Sequence, residues 1–122
     1  MRMPVLVVVL ALVVIAPPEV RRTREDLRAL SAAAEAYFSD HRAYPKAKTM
    51  EELKAQLSPQ YLKTVPMTDA WGTPYAYRSA GGHYRFVSAG PDRKFDPTSL
   101  DIGKHPAKSD DIVYADVELL RP

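Results

Sequence analysis

The sequence predicts an α+β fold in which an amphipathic N-terminal helix packs on a small antiparallel β-sheet. Three observations predict it. Apolar residues recur at spacings of three and four between Leu27 and His41, the mark of one buried helical face. Beyond Tyr61 the texture changes to aromatics, Pro and Gly, and large and polar residues alternate on either side of Gly81-Gly82. The chain has 122 residues, enough for one core with at most a short appendage.

Residues 1–18 are expected to be a separate segment, and residues 19–122 the globular part. Met1-Arg2 precedes the apolar run Met3 to Ala16, which ends at Pro17-Pro18. A basic start and a short apolar block fit a signal peptide or a membrane anchor, with a buried core helix as the other reading. The block is short for a free-standing bilayer span, which needs about 20 residues. Val14 and Ala16 suit the small-residue positions of a cleavage site, whereas Pro17 disfavours cleavage after Ala16.

Thr23-Arg24-Glu25-Asp26 has the order of a helix start, a Thr cap with an acid three residues on. Leu27, Leu30, Ala34, Tyr37, Phe38 and His41 then form the stripe of a helix over about 23–43, which stops before Tyr44-Pro45 because a residue preceding proline resists helical geometry. A second capping sequence, Thr49 to Glu52, opens a short helix over about 50–57 that buries Met50, Leu53 and Leu57. The sheet and its loop occupy 74–120. Tyr75 to Arg78 and Tyr84 to Ser88 read as a hairpin, and Ile112 to Leu120 as a third strand.

Charge and composition exclude several functions. Seventeen basic residues face fifteen acidic ones for a net +2, but the two signs interleave and form no nucleic-acid-binding stripe. With no cysteine there is no disulfide and no thiolate metal site. No nucleophile elbow, phosphate loop or histidine pair at zinc spacing occurs, and His41, His83 and His105 lie in unrelated contexts.

Six of the nine aspartates fall between Asp92 and Asp116. Three readings suit such a cluster: a solvated acidic loop, an acid/base pair for hydrolysis, or a hard-cation site, since Ca²⁺ takes carboxylate and carbonyl oxygens. The EF-hand pattern fails, because Lys94 stands where a second acid belongs. Asp92 follows the second hairpin strand and Asp110-Asp111 precede the third, so a loop that doubles back brings three carboxylates together. Like charges about 4 Å apart repel by roughly 1 kcal/mol even at water's dielectric, and a divalent ion turns that repulsion into a clamp.

Four segments, "DLRALSAAAEAYFSDHRAYP" (26–45), "TDAWGTPYAY" (68–77), "YRFVSAGPD" (84–92) and "DDIVYAD" (110–116), resemble the major pseudopilin, or protein G, of type II secretion systems. The Trp-Gly-x-Pro-Tyr segment is the most specific of them. The resemblance implies a pilin-like fold with a calcium-type C-terminal loop and no catalytic role. It implies Asp92, Asp110 and Asp111 as carboxylate ligands of Ca²⁺, and the carbonyls of Ala89 and Lys94 as backbone ligands. Asp96 and Asp101 lie in a 96–108 insertion longer than the family's loop, and Asp101-Ile102 offers a rival match to the later ligand pair. Trp71, Pro74 and Tyr75 are expected to be packing residues, and Gly72 to relieve a crowded backbone position.

The implied partners are other pseudopilin subunits or secretion-system components, with the inner membrane reached through the apolar segment, and the implied location is the inner membrane and periplasm. The family's processing signature, a Gly before a Phe-led apolar helix with a Glu at its fifth position, does not occur in residues 1–18. That leaves two expectations: a start further upstream, or an ordinary signal or anchor on a stand-alone exported adaptor domain that keeps the fold without assembling.

Overall fold

Helix α1 spans Pro18–His41, starting five residues before the expected Thr23 cap. Pro18 stands at the first helical position, where the N–H that proline lacks would have had no partner in any case. Arg42 then takes a left-handed conformation (φ 59°) and donates its N–H to the Phe38 carbonyl, which closes the helix ahead of Tyr44-Pro45. The computed structural model describes residues 16–102, 110–115 and 118–121. The apolar run read as signal or anchor lies almost wholly outside them, and no helix among the described residues is long and apolar enough to cross a membrane.

Helix α2 spans Met50–Leu57 with Thr49 as its cap, the Thr49 hydroxyl accepting the Glu52 N–H at 3.2 Å. The sheet has four antiparallel strands in the order β1 (Ala76–Ala80), β2 (His83–Ser88), β3 (Ile112–Ala115) and β4 (Glu118–Arg121). Strands β1 and β2 meet through Gly81-Gly82, both at positive φ, the two-residue turn whose twist matches that of the strands. The single third strand expected over Ile112 to Leu120 is instead two: the chain reverses after Ala115, and Ala115 pairs with Glu118. Asp116, a residue type favoured in turns, reads as part of the strand because apolar residues continue on both sides of it.

One face of the sheet packs on α1. Leu27, Leu30, Ala33 and Ala34 from α1, Met50, Leu53 and Leu57 from α2, and Tyr77, Tyr84, Phe86, Ile112 and Tyr114 from the strands form one buried cluster. Each fully buried leucine, isoleucine or phenylalanine among them contributes about 1.5–3 kcal/mol. The rings meet edge-on or tilted, Tyr44 to Tyr84 at 4.7 Å and Tyr77 to Phe86 at 4.7 Å between centroids.

The other face is buried too. Ala76, Val87 and Val113 lie side by side across β1, β2 and β3, and both valines are fully buried although they point away from α1. Thr98, Ser99 and Leu100 of the aspartate-rich loop reach that side, where their carbonyls meet Arg78 and Arg85.

Candidate functional site

The loop leaves β2 through Ala89, which is fully buried, and Gly90, at φ +77°. A Cβ on Gly90 would stand 2.4 Å from the Asp110 carbonyl oxygen, so only glycine lets the two ends of the loop approach this closely. Beyond it, the Asp92 N–H donates to Asp110 Oδ2 at 3.1 Å, and Asp92 Oδ1 accepts the Lys94 N–H at 2.8 Å. The loop does double back, and it places Asp92 beside Asp110.

Asp111 is engaged differently. It is fully buried, and its Oδ2 accepts the Asp96 N–H at 2.8 Å and the Ser99 hydroxyl at 2.7 Å. Asp96 in turn caps the next turn, its Oδ1 accepting both the N–H and the hydroxyl of Thr98. Burial pushes the Asp111 carboxyl above the usual carboxylate range, and the charges of Asp110 and Asp96 push the same way against the hydrogen bonds from Ser99 and the Asp96 N–H.

Of the residues expected to hold a cation, Asp92 and Lys94 at the start of the loop and Asp110 at its end are exposed, while Ala89 and Asp111 are buried. Asp101 sits half-buried after a turn, its N–H on the Thr98 carbonyl. The donors are all oxygens, the chemistry a hard cation takes. Among the described residues no group of three or more His, Cys, Asp or Glu side chains is placed to hold a metal ion.

Two arginines fix the loop to the sheet. Arg78 on β1 and Arg85 on β2 are cross-strand partners on the face opposite α1. Arg78 Nη1 donates to the Leu100 carbonyl at 3.4 Å, and Arg85 Nη1 donates to the Ser99 carbonyl at 3.1 Å and the Thr98 carbonyl at 3.4 Å. Arg85 is 5% exposed, unusual for a strand arginine. Alternation marks both only as the polar positions of their strands; Arg78 is exposed, and nothing in β2 announces that Arg85 will be buried.

A second missed residue is Asp69, 2% exposed. Its Oδ1 accepts the N–H groups of Trp71 and Thr73, both at 3.0 Å, and its Oδ2 accepts the Ser88 hydroxyl at 2.7 Å. One carboxylate thus shapes the Asp69–Thr73 turn and ties it to the end of β2, where the aspartate loop begins. Gly72 within this turn has φ +87° and open space around an added Cβ. Its requirement is left-handed backbone rather than the crowding expected. Thr23 is likewise reassigned: mid-helix and fully buried, its hydroxyl oxygen accepts the Ala70 N–H at 3.3 Å rather than capping α1. Tyr75, expected as packing, is buried and also donates its hydroxyl to Asp26 Oδ2 at 2.9 Å. Trp71 packs half-buried against the core.

The histidines form no constellation among the described residues. His41 is exposed and stacks on Tyr37 with centroids 3.9 Å apart, His83 is exposed at the start of β2, and His105 lies outside the described residues.

Comparison with known proteins gives one consistent answer. A family model described as "Type II secretion system (T2SS), protein G" matches residues 15–105, and so stops before Asp110 and Asp111. A solved structure, the major pseudopilin from the type 2 secretion system of enterohaemorrhagic Escherichia coli, is similar in fold. The TM-score is 0.54 at 21% identity, over 82% of this chain and 96% of that one. No curated protein sequence matches the chain.

Proposed function

The chain belongs to the type II secretion system protein G family, and we propose that it acts there as a non-enzymatic subunit of a periplasmic pseudopilus. The observation that carries this reading is the family match across residues 15–105, which takes in α1, α2 and the β1–β2 hairpin, on a helix-on-sheet fold of the same kind as a solved pseudopilin. A role as structural subunit agrees with the hydrogen bonding of Asp69 and Asp111, the buried carboxylates among the described residues, which both hold turns. In this reading the apolar run Met3 to Ala16 holds the subunit at the inner membrane, and repeated head-to-tail contacts between copies propagate the assembly.

Calcium completes the proposal. Asp92 and Asp110, already adjacent, would supply exposed carboxylates, with Asp111 and the carbonyls of Ala89 and Lys94 as the remaining oxygens. The support is the convergence of the two loop ends at Gly90 and Asp110, which sets the Asp110 carboxylate on the Asp92 N–H. When bound, the ion would offset their mutual repulsion and fix the loop on the sheet.

Deleting the gene in a host with an intact type II system, and restoring it on a plasmid, tests the function. Loss of secretion into the medium on deletion, with recovery on complementation, is the expected result. Undiminished secretion from the deletion strain would contradict it.

A further inference from the structure

The sheet has an open edge beside a charged groove. β1 is an outer strand, and among the described residues Ala76 to Ala80 make no backbone hydrogen bond outside the β1–β2 ladder. Along this edge runs a groove of about 820 Å³, between the segment leading into α2 on one side and Leu100 of the aspartate loop on the other. That volume is within the roughly 300–1,000 Å³ of ligand-binding clefts. Tyr77 and Ser79 donate their hydroxyls to the Pro45 carbonyl, which holds the segment against β1 without using the strand's own backbone groups.

The rim is basic. Lys46 and Lys48 are exposed, and among the described residues their ammonium groups pair with no carboxylate. Arg78 lies on the far rim and, among the described residues, bonds to the Leu100 carbonyl alone. Against these three cations stands one carboxylate, Glu52, whose Oε2 already accepts the Lys48 N–H at 2.7 Å. Met50, Tyr75 and Leu100 supply apolar surface between them.

We propose that this edge binds an extended acidic peptide segment of another protein, which adds as a fifth strand beside β1. Strand addition uses the unpaired backbone groups for affinity, while alternate side chains enter the two sides of the groove. Acidic residues on one face of the added strand meet Lys46 and Lys48, and apolar residues on the other meet Leu100. The competing role for lysines at a sheet edge is to repel other strands, and it predicts no binding at all. The site is formed by the β1 edge with Lys46 and Lys48 on one rim and Leu100 on the other, and does not depend on assembly.

The test uses the full chain and a blocked heptapeptide alternating glutamate and valine, followed by backbone amide shifts and calorimetry. The expected result is binding that moves the amides of Ala76 to Ala80 and weakens as salt is raised. The same peptide with its central valine N-methylated keeps its charge but loses a strand donor, and binds at least about tenfold more weakly. Charge reversal by K46E with K48E weakens the acidic peptide by at least about tenfold and creates binding of a lysine–valine counterpart. Both sites are exposed, and a melt matching the unaltered chain shows that the fold is retained. Equal binding of the methylated and unmethylated peptides, shifts away from β1, or no binding at millimolar peptide would each overturn the proposal.

Discussion

Arg78 and Arg85 face each other across β1 and β2, and their guanidinium groups grip three consecutive carbonyls of one loop, those of Thr98, Ser99 and Leu100. Since Arg85 is buried and Arg78 exposed, they are unequal partners. Arg85→Ala removes the guanidinium donor from the buried Ser99 carbonyl and is expected to cost about 1–3 kcal/mol, whereas Arg78→Ala costs well under 1 kcal/mol. Hydrogen exchange should show the amides of Asp96 to Asp101 opening in the Arg85 variant before those of β2. Uniform loss of protection across the sheet would show that the arginine serves the whole fold instead.

Gly90 is the hinge point of the same loop. Gly90→Ala puts a methyl group into the Asp110 carbonyl at a positive φ, a combination expected to cost about 1–3 kcal/mol or more. Gly72→Ala, with a similar φ but open space, should cost only the backbone part. Denaturant midpoints for the two variants give the comparison directly, and equal losses would remove the close contact from the account.

Asp69 separates hydrogen bonding from charge. Asp69→Ala strands two backbone N–H groups and the Ser88 hydroxyl, for an expected loss of about 3 kcal/mol or more. Asp69→Asn keeps an oxygen for the two N–H groups, and the Ser88 hydroxyl can turn to accept from the new amide. It should cost about 1 kcal/mol. Thermal melts of both variants check the order, and a loss for Asn as large as for Ala would make the negative charge itself the requirement.

These residues also mark how far the sequence could be read. Periodicity reports what faces a core, so Leu27, Leu30 and Ala34 of α1 and the Tyr84–Phe86 face of β2 were legible. The start of α1 was not, because Thr23 and Asp26 have the order of a capping box but are used over distance, Thr23 for Ala70 and Asp26 for Tyr75. Asp92 beside Asp110 followed from their positions at the two ends of one loop. Asp69 and Arg85 escaped notice because a polar residue in a loop or alternating strand reads as exposed unless its distant partner is known.

The tyrosines give a pH dependence. Burial pushes the Tyr77 hydroxyl up to about 12, and burial with the hydrogen bond to Asp26 pushes Tyr75 well above the ordinary 10.0. A raised folded-state pKa means that the unfolded chain ionises first. Their contribution is therefore complete below about pH 10 and is lost as pH rises above it. Urea midpoints should fall between pH 9 and pH 11, and Tyr75→Phe should make that fall shallower. An identical slope in the variant would show that Tyr75 ionises as it does in the unfolded chain.

In the role we propose, calcium completes the loop from Ala89 to Asp111. Its most direct test is the melting temperature of the full chain in excess calcium and after chelation, with bound metal assayed in parallel. Binding to the folded state alone stabilises it by about 2.7 kcal/mol at a hundredfold excess over Kd, so the melt should rise by several degrees with calcium. The rise should vanish in Asp92→Asn with Asp110→Asn. The same melting temperature in calcium and in chelator, with no metal bound, would contradict the claim.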